Sequence, residues 1–269
     1  MEAADAASPQ RRKDNQVSLR TIWALLAATV MGGTALGQNE AATTISRTWK
    51  AGDVIRMKFT ATGEVAGTEV VLERTLKTEV KEVKENGEIV LVQTDLGGTV
   101  SAGGQAMDIP GAGPATTTVD KRGRLVKFTR AAADMSILAP EVEQLVLMTL
   151  DYLLPDKEVR SGDNWETELP NPLVPSKKIK VKTNYVGMDK LNDVRVWKIK
   201  QAMTVFVDTS DTKMSSEIVF LVDPASGAPQ TIEGTLQGVP TQFGSVKLKL
   251  KSVFLKPESP KAAETPAPR

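Results

Sequence analysis

From residue 54 to residue 255 the chain consists mainly of short two-residue alternations, a pattern that restricts it to antiparallel β-structure. In 54–60, Ile55, Met57 and Phe59 fall on one face and Arg56, Lys58 and Thr60 on the other, as in a half-buried strand. Residues 68–82 continue in β-branched, charge-alternating style, and 88–94 return after Lys84-Glu85-Asn86-Gly87. Asn-Gly accommodates two positive φ angles, so a tight hairpin is expected there. A second hairpin is expected over 116–128, turning at Asp120-Lys121-Arg122-Gly123. Further strands are expected over 179–186, 194–207, 215–222, 230–236 and 246–255, separated by turn-rich sequences such as Leu191-Asn192-Asp193 and Asp223-Pro224-Ala225-Ser226-Gly227.

Two segments break the alternation. Residues 96–114 are rich in Gly and Ala and lack periodicity, and a mobile loop over a cavity mouth is expected. No phosphate-cradling glycine pattern opens onto a helix there. Residues 140–154 (PEVEQLVLMTLDYLL) predict a helix of about four turns, with Pro140 in its first turn, Glu141 and Glu143 beside it, and Pro155 stopping it. Its apolar stripe, Val142, Leu145, Val146, Met148 and Leu153, is expected to pack on the sheet.

The fold expected is mainly β, a curved antiparallel sheet or half-barrel of two similar halves, 47–130 and 158–256, joined by one packed central helix at 140–154. The halves rest on landmarks that recur in order. Gly52-Asp53 and Gly162-Asp163 each open a strand, and Val119-Asp120 and Val222-Asp223 each precede a glycine turn. The N-terminus reads as an export signal over 1–37, with Arg11, Arg12, Lys13 and Arg20 before the apolar stretch 21–31 and small residues after it. Cleavage after Ala35 or Gly37 fits equally well. The apolar stretch is shorter than the roughly 20 residues of a membrane span, so no integral membrane segment is expected after cleavage. A polar lead-in, 38–46, would follow the signal, and a disordered Pro/Ala tail, 257–269, would close the single β-rich domain 47–256.

Among 269 residues there is no histidine and no cysteine. That removes Ser-His-Asp and Cys-His nucleophiles, disulfides, and metal sites built on imidazole or thiolate. Charge is balanced, 34 basic against 33 acidic residues, so a nucleic-acid partner is not expected. Asp208, Asp211 and Asp223 lack the density of a calcium loop and fall where turns are expected. Asp163 beside Trp165 could suggest an acid next to an aromatic platform. The recurrence of Gly-Asp without Trp at Gly52-Asp53 favours a structural motif of Gly162, Asp163 and Trp165 instead. Lys178, Lys180 and Lys182, and Lys247, Lys249 and Lys251, alternate with apolar residues as a solvated outer sheet face does.

Leu154-Pro155-Asp156-Lys157-Glu158-Val159-Arg160-Ser161-Gly162-Asp163-Asn164-Trp165 resembles a family of uncharacterised exported bacterial proteins that carry Val-x-x-Gly-Asp-x-Trp after a central helix. The layout is also similar to that of LolA/LppX-type lipoprotein carriers, a resemblance that implies an apolar groove for acyl chains and assigns no binding residue here. The function expected is non-catalytic, with no catalytic, cofactor-binding or metal-ligating residue and no cofactor. The protein would be exported, periplasmic or extracellular in a bacterium, and would bind a lipid or other apolar small molecule between sheet and helix. Val142, Leu145, Val146, Met148, Leu153, Ile55, Met57 and Phe59 are expected to line that cavity. The alternative is a structural or interaction module that meets an envelope protein.

Overall fold

The computed structural model describes residues 41–130, 140–241 and 244–255, which belong to one compact unit. The expected signal at 1–37 and tail at 257–269 lie outside the described residues. The described chain forms a single antiparallel sheet of 12 strands and one short helix. The strands are β1 (Val54–Val65), β2 (Thr68–Val83), β3 (Ile89–Ala102), β4 (Gln105–Ile109), β5 (Ala115–Val119), β6 (Leu125–Arg130), β7 (Asn164–Pro170), β8 (Lys178–Leu191), β9 (Val194–Phe206), β10 (Lys213–Val222), β11 (Pro229–Thr241) and β12 (Gly244–Leu255). The helix α1 (Pro140–Thr149) lies between β6 and β7 in sequence.

The order across the sheet is β6-β5-β3-β2-β1-β12-β11-β10-β9-β8-β7, with β4 added to β3. Each half is therefore a meander, and β12 returns to pair with β1 and joins the two. Alternation sets which face is buried. In β8, Lys178, Lys180 and Lys182 are exposed while Ile179, Val181 and Thr183 are buried, and β12 does the same around Leu250 and Ser252. The expected solvated lysine face is thus the outer face of the sheet.

The sheet curls. Its two outermost strands are ten steps apart, about 48 Å if the sheet were flat at roughly 4.8 Å per strand. Leu125 of β6 and Leu169 of β7 nevertheless line the same cavity. Only a sheet rolled toward its own inner face can bring both ends to one space.

Three expectations about the loop at 96–114, the Asn86-Gly87 turn and the helix are corrected. Residues 96–114 are not one mobile loop, because β3 runs on to Ala102 and turns at Gly103-Gly104 into β4. Close approach explains Gly98, where a Cβ would collide with the Glu73 carbonyl oxygen across a register shift in β2. The Asn86-Gly87 turn has positive φ only at Gly87, and the Lys84 N–H reaches the Glu88 carbonyl at 2.8 Å, so the loop is longer than two residues. Among the described residues, two successive positive φ angles occur instead at Ala66-Gly67 (50° and 79°), Gly103-Gly104 (57° and 82°) and Asn192-Asp193 (49° and 65°).

The third correction concerns the helix, which ends at Thr149, well before Pro155. Thr149 Oγ1 donates to the Val146 carbonyl at 2.7 Å, and the Leu150 N–H closes a tighter final turn on the Leu147 carbonyl at 3.1 Å. Beyond it the chain finds tertiary partners. The Leu153 N–H donates to Gln201 Oε1 at 3.0 Å and the Leu154 N–H to the Arg122 carbonyl at 2.9 Å. Tyr152, Leu153 and Leu154 are buried by that exchange. Val142 and Leu145 join the same core, alongside Ile199, Met203, Ile218, Phe220, Ile232 and Leu236 from the inner face.

The Gly-Asp landmarks share one geometry. The Gly52 N–H donates to the Val80 carbonyl and Asp53 Oδ2 accepts the Lys50 N–H; the Gly162 N–H donates to the Tyr185 carbonyl and Asp163 Oδ2 accepts the Arg160 N–H. Gly52 and Gly162 sit at φ +92° and +90°, and a Cβ on either would meet nothing within 4 Å. Strain alone therefore sets the effect of alanine there. Gly52→Ala and Gly162→Ala are each expected to lower stability by a similar amount, about 1–2 kcal/mol, in urea denaturation. Trp165, next to the second turn, packs partly buried against the main core.

The segment before β1 also differs from the polar lead-in expected. Thr43 forms a β-bridge with Val159, Ile45 is buried in the core, and the Thr48 N–H donates to the Ser226 carbonyl at 3.1 Å.

Candidate functional site: an apolar cavity inside the rolled sheet

The inner face borders a half-open cavity of about 130 Å³. An apolar cavity of about 150 Å³ holds one benzene, so roughly five methylene-sized groups fit, and a longer chain extends through the open side. Its walls come from β1 to β3, β5 and β6 on one side, α1 and the segment after it above, and β7, β11 and β12 on the other. Most of the lining is hydrocarbon or thioether, including Met57, Leu125, Leu147, Met148, Ile232 and Phe254. A wall of flexible and branched apolar side chains favours nonpolar ligand surface.

The expected lining residues divide. Ile55, Met57, Met148 and Leu153 do line the cavity. Val142, Leu145 and Phe59 are instead buried in the core beneath it, and Val146 packs partly buried against that core. The shorter helix explains the difference for α1: its buried stripe faces the sheet, and the segment at 150–153 supplies wall in place of a final turn.

Among the described residues one charged side chain lines the cavity, Asp151, and it is held by Arg47. The pair is bidentate: Arg47 Nη1 donates to Asp151 Oδ2 at 3.1 Å and Arg47 Nη2 to Asp151 Oδ1. Arg47 Nη2 also donates to the Tyr152 carbonyl at 2.7 Å, and the guanidinium lies over the Tyr152 ring, 4.7 Å from its centroid. Its side chain is 3% exposed. Burial works against the Arg47 charge, but Asp151 and Tyr152 outweigh it and hold the guanidinium above its ordinary range. Burial pushes the Asp151 carboxyl up, with Arg47 pulling the other way. Burial also pushes the Tyr152 phenol up to about 12, and its hydroxyl donates to the Gly227 carbonyl at 2.8 Å. Gly123 makes room for this arrangement, since a Cβ there would meet Arg47 Nη1 at 2.8 Å.

The Asp-containing turns are used for structure. Asp120 Oδ1 accepts the Arg122 and Arg124 N–H groups at 2.9 Å each, and that turn presents the Arg122 carbonyl to Leu154. Partial burial would raise the Asp120 pKa, but these bonds and the Arg124 side chain lower it overall. A carboxyl with a depressed folded pKa contributes stability above its unfolded value, 3.8, and loses that contribution as pH falls through the folded value. Asp120→Asn is therefore expected to lower stability by about 1 kcal/mol near neutrality. The gap from the parent should close below pH 3.8 in urea melts taken at successive pH values. Asp208 accepts the Ser210 and Thr212 N–H groups, and Asp223 accepts the Ala225 N–H and the Ser226 hydroxyl. Asp211 pairs with Lys177. Among the described residues no three acidic side chains cluster as metal ligands would.

Sequence reading missed Arg47, Trp49 and Asp151, and the wall residues Thr78, Gln93 and Thr117. Asp151 carries a signal, being the only charge in the apolar run 144–154. Arg47 and Trp49 lie just before the first alternating strand, where no periodicity marks them.

No protein-family model matches the chain, and no curated protein matches it. Among solved structures, it is similar to a protein from Bacteroides fragilis described as exported with a YmcC-like fold. The identity is 12% and the TM-score 0.32, over 80% of this chain and 98% of that one. It is also similar to a domain from Vibrio parahaemolyticus described as an outer membrane lipoprotein-sorting protein domain. There the identity is 9% and the TM-score 0.20, over 77% and 87% of the two chains. Scores this low do not establish a shared fold. Among the described residues, no helix is long and apolar enough to cross a membrane.

Proposed function

We propose that this is an exported, non-catalytic protein that shelters an apolar or lipid-like molecule inside the rolled sheet. The observation that carries the reading is the cavity itself, walled by residues such as Met57, Leu147 and Phe254, with its one charged residue already paired. Transfer of hydrocarbon from water into such a space is favourable by about 25 cal/mol per Å² of surface removed. Export rests on the basic, apolar and small-residue pattern of 1–37. The matching Gly-Asp turns support a duplicated β-meander as the origin of the rolled sheet.

Solvent extraction of protein purified from its native compartment, followed by mass spectrometry, tests the reading. A stoichiometric amphiphile or hydrocarbon is the expected result. A protein that carries none, takes up none when offered, and instead captures an envelope protein at one-to-one ratio would support the interaction-module alternative.

A further inference from the structure

We propose that the ligand is an amphiphile with an uncharged oxygen function, an ester, amide or alcohol, which docks on a polar patch formed by Thr78, Gln93 and Thr117. This rests on the apolar-ligand reading above and gives that ligand its chemical class.

The patch is set by register. Thr78 on β2 is the direct cross-strand partner of Gln93 on β3. Thr117 on β5 pairs with Leu91, one pleat from Gln93, so a glutamine side chain can reach both threonines. All three line the cavity on its N-terminal-half wall, where Ile55, Leu91 and Val119 surround them. Trp49 lines the same region and packs against the small core of Val80, Ile89, Leu91 and Val119.

Among the described residues, no side-chain hydrogen bond engages Thr78, Gln93 or Thr117. The Trp49 indole N–H is buried and has no hydrogen-bond partner among the described residues. That nitrogen has no accessible surface, so it does not open on the cavity, and Trp49 contributes its ring as apolar wall. The half-buried side chains of Thr78, Gln93 and Thr117 stand beside it on the same wall. Together they offer hydroxyl and amide donors and acceptors, complementary to a carbonyl or hydroxyl oxygen.

Charge decides the rest. Asp151 is neutralised by Arg47, and Arg74 of β2 is paired with Asp95. Among the described residues no cation lines the cavity, so a carboxylate or phosphate drawn inside would lose water without gaining a counter-charge. A neutral oxygen function loses far less and gains the patch.

The test displaces N-phenyl-1-naphthylamine, an uncharged apolar dye, from the full-length mature protein. The competitors share a twelve-carbon chain, monolaurin against laurate, each below its micelle concentration. Monolaurin is expected to compete about tenfold better than laurate. In the Gln93→Leu/Thr117→Val variant, which keeps side-chain volume, the ratio of the two competitors should fall to about one. Dye uptake with equal competition in the parent protein overturns this inference and leaves the apolar-ligand reading standing. Failure of the parent to take up dye or either competitor overturns both. A variant that does not fold leaves the parent comparison, which is decisive by itself.

Discussion

Asp151→Ala is expected to lower the free energy of unfolding by about 3 kcal/mol, the low end of what removing one partner of a buried ion pair costs. The reason is what remains. Arg47 cannot shed its proton, and its side chain is 3% exposed, so the substitution strands a guanidinium in a poorly hydrated site. Asp151 also accepts the Tyr152 N–H at 2.9 Å, and that bond helps fix the segment leading into the cavity wall. Arg47→Lys should also destabilise, because an ammonium cannot reproduce two parallel bonds to Asp151 together with stacking on Tyr152. Chemical denaturation of the three proteins reads both effects. If Asp151→Ala loses less than about 1 kcal/mol, the pair behaves as an exposed one and does not brace the cavity.

Met57→Trp is expected to abolish binding of apolar dye while changing stability by less than about 1 kcal/mol. Overpacking a filled core costs about 1–3 kcal/mol, but Met57 faces the cavity, where the indole has room. The substitution replaces ligand volume with side chain. Dye fluorescence and thermal unfolding of the same sample separate the outcomes. Retained binding in a stable Met57→Trp protein would mean that ligand sits elsewhere.

Strand alternation made most of the sheet legible, because a period of two reports directly which residues face inward. The strand patterns beginning at 54, 179 and 194 all became strands, and the Lys178, Lys180, Lys182 face lies outside as expected. Glycine misled. At 96–114 its abundance suggested flexibility, whereas Gly98 answers to the Glu73 carbonyl lying where its side chain would begin, a contact between strands distant in sequence. The helix was legible in existence and wrong in length. Local pattern favoured continuation through Leu154, and tertiary partners at Gln201 and Arg122 captured those backbone groups instead. Alternation and stripe gave inward-facing residues without separating wall from core: Met57 and Met148 lie on the cavity wall, Phe59 and Val142 in the core. The Arg47–Asp151 pair spans 104 residues, and no local pattern announces such a partnership.

Everything about the site depends on the two ends of the sheet approaching each other, and that distance can be measured. The chain has no cysteine, so Val126→Cys and Glu168→Cys place two spin labels at exposed positions of β6 and β7 without interference. Pulsed dipolar spectroscopy should give a separation of no more than about 30 Å, roughly six strand spacings. A separation near 48 Å, the span of ten flat strand spacings, would leave the cavity without its walls and contradict the account.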